Sequence, residues 1–156
     1  MDAFKLIDFV IIQIDTDHSF ELPFDVSHEE NGIKISVEQL IEKVKQRFRD
    51  SFLKTFGQAF SAEYEHRILF AIAVHSTECW LLPLFHNDSK DKSETKNCYK
   101  KLNKAVKGLE KTYKFYDTKF DDLRFAKRLH KAASANPSFK IFIENELKTK
   151  IPLQNA

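Results

Sequence analysis

The spacing of apolar positions changes several times along the chain, and each change marks an element. Residues 6–14, LIDFVIIQI, are dense in β-branched and aromatic side chains and read as a buried strand. From 18 to 35 the pattern loosens. FELPFDV and GIKI predict a short hairpin around SHEENG, on an edge because Pro23 has no N–H to give a ladder. A helical period then takes over: Val37, Leu40, Ile41, Val44, Phe48, Phe52, Phe56 and Phe60 fall on one stripe of a long helix. Ser36 and Gln39 stand at capping-box spacing before it. Residues 67–74, RILFAIAV, form an apolar run without polar alternation, the mark of a strand buried on both faces of a parallel sheet. Strand, helix and strand make a βαβ unit.

Beyond it, HSTECWLLPLF at 75–85 predicts a turn into a short helix that Pro83 limits, with Trp80 in the core. HNDSKDKSET at 86–95 is a polar loop. Helices are predicted over 96–110 and 120–135. Asn136 caps a last helix with Pro137 at its first position, and Phe139, Phe142, Ile143 and Leu147 make its inner stripe. The expected fold is therefore α/β: a small, parallel-containing, Rossmann-like sheet flanked by helices, with a helical C-terminal half. It is read as one domain over residues 1–150, with a βαβ core at 1–85, a basic helical part at 96–148 and a tail at 151–156.

Composition refines this picture. Fifteen Phe and only three Gly suit helices around an aromatic core better than an all-β chain with many tight turns. No apolar run reaches the roughly 18 residues of a membrane span, and the acidic N-terminus is unlike a signal peptide, so a cytoplasmic protein with no membrane partner is expected. Cys79 and Cys98 form no CxxC and read as free thiols. The net charge of +2 conceals an asymmetry. Residues 1–65 hold 7 Lys/Arg against 13 Asp/Glu, whereas residues 90–131 hold 14 against 6. A basic second half suits a polyanion such as DNA or RNA; a solvated lysine face would have the same composition.

The candidate chemistry sits where the strands end. In open α/β sheets, ligands gather beyond the C-terminal ends of strands. The first strand ends in Asp15, Thr16, Asp17 and His18, and the second in His75 with Glu78 just beyond. Parallel strands would bring these to one edge. Hard carboxylate oxygens suit Mg²⁺ or Mn²⁺. The competing readings are plain: a solvated turn for Asp15 and Asp17, a favourable first-turn acid for Glu78, and a packed histidine for His75.

These segments also carry a resemblance. VIIQIDTDH resembles the D-x-D strand of Toprim-type domains. AIAVHSTECWLLPLF resembles the segment of RloB-like proteins in which a strand runs into a glutamate, one residue, a tryptophan and an apolar helix. The stretch LEKTYKFYDTKFDDLRFAKRLHKAASANPSFKIFIENEL is similar to the same group's C-terminal part, with its alanine-lysine helix, Asn-Pro-Ser and closing helix. The resemblance implies a metal-dependent nuclease of bacterial anti-phage defence. In it Asp15 and Asp17 form the metal-binding pair and Glu78 the later acidic position. His75 or His18 would assist proton transfer, and Lys100, Lys101, Lys104 and Lys107 would face the phosphate backbone. Toprim domains also open with an earlier strand ending in a glutamate, which the residues before the D-x-D strand do not supply. A truncated or split half is therefore expected, its sheet completed by a second copy or a partner chain. The alternative is a non-catalytic nucleic-acid-binding or interaction subunit of a defence complex.

Overall fold

A computed structural model describes residues 6–22, 24–85, 97–119 and 126–151. The loop read at 86–95, the first turn of the helix read at 120–135 and the end of the tail lie outside these residues. The chain is mixed α/β, with a two-stranded parallel sheet flanked by helices and a helical C-terminal half. Strand β1 (Val10–Asp15) pairs with β4 (Ile68–Ala73), Val10 opposite Ile68 and Asp15 opposite Ala73. Helix α1 (Val37–Tyr64) makes the crossover. Between β1 and α1, β2 (Glu29–Glu30) and β3 (Ile33–Lys34) form a minimal hairpin.

The two strands differ in burial. All six residues of β4 are buried, as its unbroken apolar run requires. Ile68, Phe70, Ile72 and Val74 pack with Leu40, Ile41 and Val44 of α1, while Ala71 and Ala73 face Trp80, Ala132, Ala133, Phe139 and Ile143. The first strand is not buried as its sequence suggests. Ile12 and Ile14 pack against the α1 layer, but Ile11 is 54% exposed. The C-terminal helices cover β4 on that side and stop short of β1.

Helix α1 starts as its capping box predicts: Ser36 N donates to Gln39 Oε1 at 2.8 Å, and Gln39 N to Ser36 Oγ at 3.2 Å. It does not run straight. Gly57, at φ 80° and ψ 174°, lies in a region that only glycine enters readily. There the chain doubles back, so that Arg49 Nε reaches Glu65 Oε1 at 2.7 Å. Sixteen residues of unbroken helix would separate those two by about 24 Å. Phe48, Phe52 and Phe60 stay packed on the core, whereas Phe56 beside the break is 57% exposed.

After β4 come α2 (Thr77–Leu81) with a 3₁₀ turn at Leu82–Leu84, α3 (Cys98–Ala105), α4 (Tyr113–Lys119), α5 (Ala126–Ala135) and α6 (Pro137–Ile141). A π-helical turn at Phe142–Leu147 and a last helical turn, α7 (Lys148–Lys150), follow. Asn-Pro-Ser at 136–138 ties this half to the sheet. Asn136 Oδ1 accepts from Phe139 N and from Ser138 Oγ, and its Nδ2 donates to Cys79 O. Ser138 Oγ accepts from Trp80 Nε1 at 2.8 Å and from Val74 N at 3.3 Å. Trp80 stacks on Phe139 and Phe142, with centroids 4.7 and 5.6 Å apart, and so is a core residue as read. Further along β4, Glu146 accepts from Phe70 N at 3.2 Å, and Lys150 Nζ donates to Ile68 O at 2.7 Å. Glu146 is buried and paired with both Lys45 and Lys150, so its charge is compensated.

The cysteines are not free thiols. Cys79 and Cys98 form a disulfide that joins α2 to α3 inside the cluster of Leu82, Leu102, Val106 and Leu109. Their separation of 19 residues gave no spacing signal, and their proximity arises only when α3 packs on α2. Among the described residues, no helix is long and apolar enough to cross a membrane.

Candidate functional site

The parallel pair delivers its two C-terminal ends to one edge, where a short lattice of bonds joins them. Thr16, fully buried, accepts from His75 N through Oγ1 at 2.9 Å, and Asp17 N donates to His75 O at 3.0 Å. His75 turns the chain with φ 67°, the left-handed region that few non-glycine residues occupy. That turn starts α2 beside β1. Asp15 Oδ1 then accepts from Thr77 N at 3.0 Å, from Thr77 Oγ1 at 2.8 Å and from Gln13 Nε2 at 2.8 Å. All three bonds land on one oxygen; Oδ2 takes none from the described residues. Burial raises the Asp15 pKa, the Thr77 and Gln13 bonds oppose it, and the negative charge of Glu78 adds to the rise.

Glu78 is 5% exposed, in the first turn of α2. Its Oε1 accepts from Tyr116 Oη at 2.9 Å and lies 3.6 Å from Lys111 Nζ. Its Oε2 is buried with no hydrogen-bond partner of ordinary geometry. Burial pushes this carboxyl up, but Ser76, the backbone, Tyr116 and Lys111 together outweigh it, and the pKa is lowered. The Tyr116 phenol is pushed up by burial and by the carboxylate it serves. At one edge, therefore, Asp15 holds its proton to a higher pH than usual and Glu78 releases it at a lower one.

The structure brings Asp15 and Glu78 close enough to interact and places Asp17 differently. Asp17 is exposed on the 3₁₀ turn Thr16–His18 and lines a shallow hollow of about 270 Å³ with Phe20, Ser27, His28, Glu29 and His75. His75 packs edge-on to His28 at 5.4 Å between centroids, and His28 Nε2 lies 2.8 Å from Thr16 O. His18 is fully exposed, and its bond to Glu21 raises its pKa, with the Asp17 charge adding to the effect. Among the described residues, no three His, Cys, Asp or Glu side chains are grouped so as to hold a metal ion. Lys100 and Lys104 are exposed on α3, Lys101 is half-buried, and Lys107 is exposed in the turn beyond the helix.

Sequence reasoning missed Thr77, Gln13, Tyr116 and Lys111. Thr77 carried a weak signal, a hydroxyl residue between a strand and a helix. Tyr116 and Lys111 carried none, because they reach Glu78 only through the packing of α3 and α4 on α2, and α4 itself was not foreseen. Against known proteins, the chain matches no protein-family model, no curated protein and no solved structure.

Proposed function

We propose that this edge is a Mg²⁺- or Mn²⁺-dependent site for phosphodiester hydrolysis, as the Toprim and RloB-like resemblance implies, in a nuclease of bacterial anti-phage defence. One observation carries the reading. Two interacting carboxylates, Asp15 and Glu78, stand at the C-terminal ends of parallel strands, each with an oxygen that no described residue satisfies. Of these two oxygens Glu78 Oε2 is the buried one, and a buried, unsatisfied acceptor is costly to keep unless something fills it. The donor chemistry fits a hard cation, because Mg²⁺ keeps several waters and needs only one or two carboxylates. Asp15 and Glu78 would hold it, with Asp17 on the adjacent turn. Such a cation supplies polarisation of a phosphoryl oxygen and activation of a water. Thr77 and Gln13 fix the Asp15 carboxylate, and Tyr116 fixes that of Glu78. His75 stands beside Asp17 at the hollow, placed to move a proton.

The test is a calorimetric titration with Mg²⁺ and Mn²⁺, together with cleavage assays on single- and double-stranded DNA and RNA. Metal binding and cleavage that are both lost in Asp15→Ala/Asp17→Ala support the site. Cleavage unchanged in that variant removes it.

A second reading, a non-catalytic nucleic-acid-binding or interaction subunit, is favoured by a different observation. Glu78 Oε1 is already engaged by Tyr116 and Lys111, and no three-ligand group forms among the described residues. This reading expects salt-sensitive nucleic-acid binding that survives EDTA, with no turnover.

A further inference from the structure

The two edges of the parallel sheet are finished in opposite ways. On β4, the groups pointing away from β1 are closed by side chains: Ile68 O by Lys150, Phe70 N by Glu146 and Val74 N by Ser138. All three are even-numbered, so the odd residues of β4 face β1. In the parallel register of Val10 with Ile68, odd residues of β4 bond to even residues of β1. The backbone N–H and C=O of Ile11 and Gln13 therefore point to the outer edge, and no bond from the described residues reaches them. Apolar side chains are exposed near that edge, Ile11 at 54% and Leu6 and Ile7 just before the strand at 77% and 40%.

We propose that this outer edge of β1 is a dimer interface, occupied by β1 of a second copy running antiparallel. An apolar edge strand with unpaired backbone groups is a template for another strand, and proteins normally block or fill it. Among the described residues, β4 is blocked and β1 is left open. The occupant is a second copy because the open edge is self-complementary. A twofold axis sets Ile11 of each β1 opposite Gln13 of the other, so that their outward N–H and C=O groups bond reciprocally in an isologous contact. Antiparallel alignment follows from charge, since parallel alignment would stack the Asp15 and Asp17 ends of both copies, while antiparallel alignment puts them at opposite ends. The product is a four-stranded sheet in the order β4, β1, β1, β4, above the three strands usually needed for stability. Nothing here depends on the nuclease reading.

The experiment is sedimentation velocity over a dilution series, joined to hydrogen exchange of the wild type. The wild type should sediment as a dimer, and the amides of Ile11 and Gln13 should be protected in the dimer and lose that protection on dilution. Those of Ile12 and Ile14, bonded to β4, should stay protected throughout. Ile11→Pro removes an outward N–H without touching the β1–β4 ladder and should give a monomer. Ile11→Lys, which leaves the backbone intact, should do the same with unchanged Trp80 fluorescence. A wild type that is monomeric at every concentration overturns the proposal. So does a dimer with fast-exchanging Ile11 and Gln13 amides, or one that persists in Ile11→Lys.

Discussion

Asp15 takes three hydrogen bonds on one oxygen, yet its pKa still lies above the ordinary 3.8, because burial and the Glu78 charge outweigh them. A raised carboxyl pKa has a definite sign in the pH dependence of stability. The folded state holds the proton more tightly than the unfolded chain, so this group favours folding below 3.8 and loses that advantage as pH rises through the folded value. At neutral pH its ionised form is therefore a small net cost. Asp15→Asn keeps an acceptor for Thr77 and removes the charge. It should be more stable than wild type at neutral pH, by about 0.5 kcal/mol given the solvent screening of a half-buried group. The difference should close as pH falls below 3.8, where wild-type Asp15 is protonated in both states. Urea midpoints measured across that range check it. A variant less stable than wild type at neutral pH would make the carboxylate a structural cap of α2. Stability gained by removing an acid is the mark of a group kept for binding or chemistry.

Helix α3 is fastened to the site by a single covalent bond, and the side chains that hold Glu78 lie just beyond it in the chain. Reducing Cys79–Cys98 opens a loop with a sequence separation of 19 residues, which should cost about 3 kcal/mol and lower the Tm by roughly 6–12 °C. Thermal unfolding with and without reductant, and of Cys98→Ser, measures this. Two free thiols in the unreduced, denatured protein would show that the bond does not form. The bond was not legible in the sequence, for the same reason that Tyr116 and Lys111 were not: both depend on how helices pack, which no local period records. What was legible had a local cause. The Ser36–Gln39 box, the Asn136 cap with Pro137, the buried run of β4 and the Trp80 anchor each follow from spacing or residue type. The hairpin was read too wide, since only the Asn31-Gly32 turn and two residues on each side pair. The helix was read too straight, although a lone glycine within a helical stripe is a known sign of a break.

At the scale of the whole molecule, charge is divided along the chain, with 13 acidic against 7 basic residues over 1–65 and 6 against 14 over 90–131. The candidate site lies where the two meet. Asp15 and Asp17 come from the acidic half, while Lys111, on the chain that follows α3, reaches over to Glu78 from the basic half. Lys100 and Lys104 are exposed on α3, whose first residue Cys98 is bonded to Cys79 beside Glu78, and Lys107 is exposed in the turn beyond the helix. If these three contact phosphates, Lys100→Gln/Lys104→Gln/Lys107→Gln should weaken nucleic-acid binding on every sequence alike. It should also reduce the slope of log affinity against log salt by roughly 2–3, since each phosphate contact contributes about 0.7–0.9. Fluorescence anisotropy with single- and double-stranded DNA and RNA, across a salt series with and without EDTA, reads both quantities. A reduced slope that is the same with and without EDTA assigns the lysines to the backbone, whatever Asp15 and Glu78 bind. An unchanged slope would mean that the basic half is a solvated surface, and absence of binding at low salt would remove nucleic acid from the functional reading altogether.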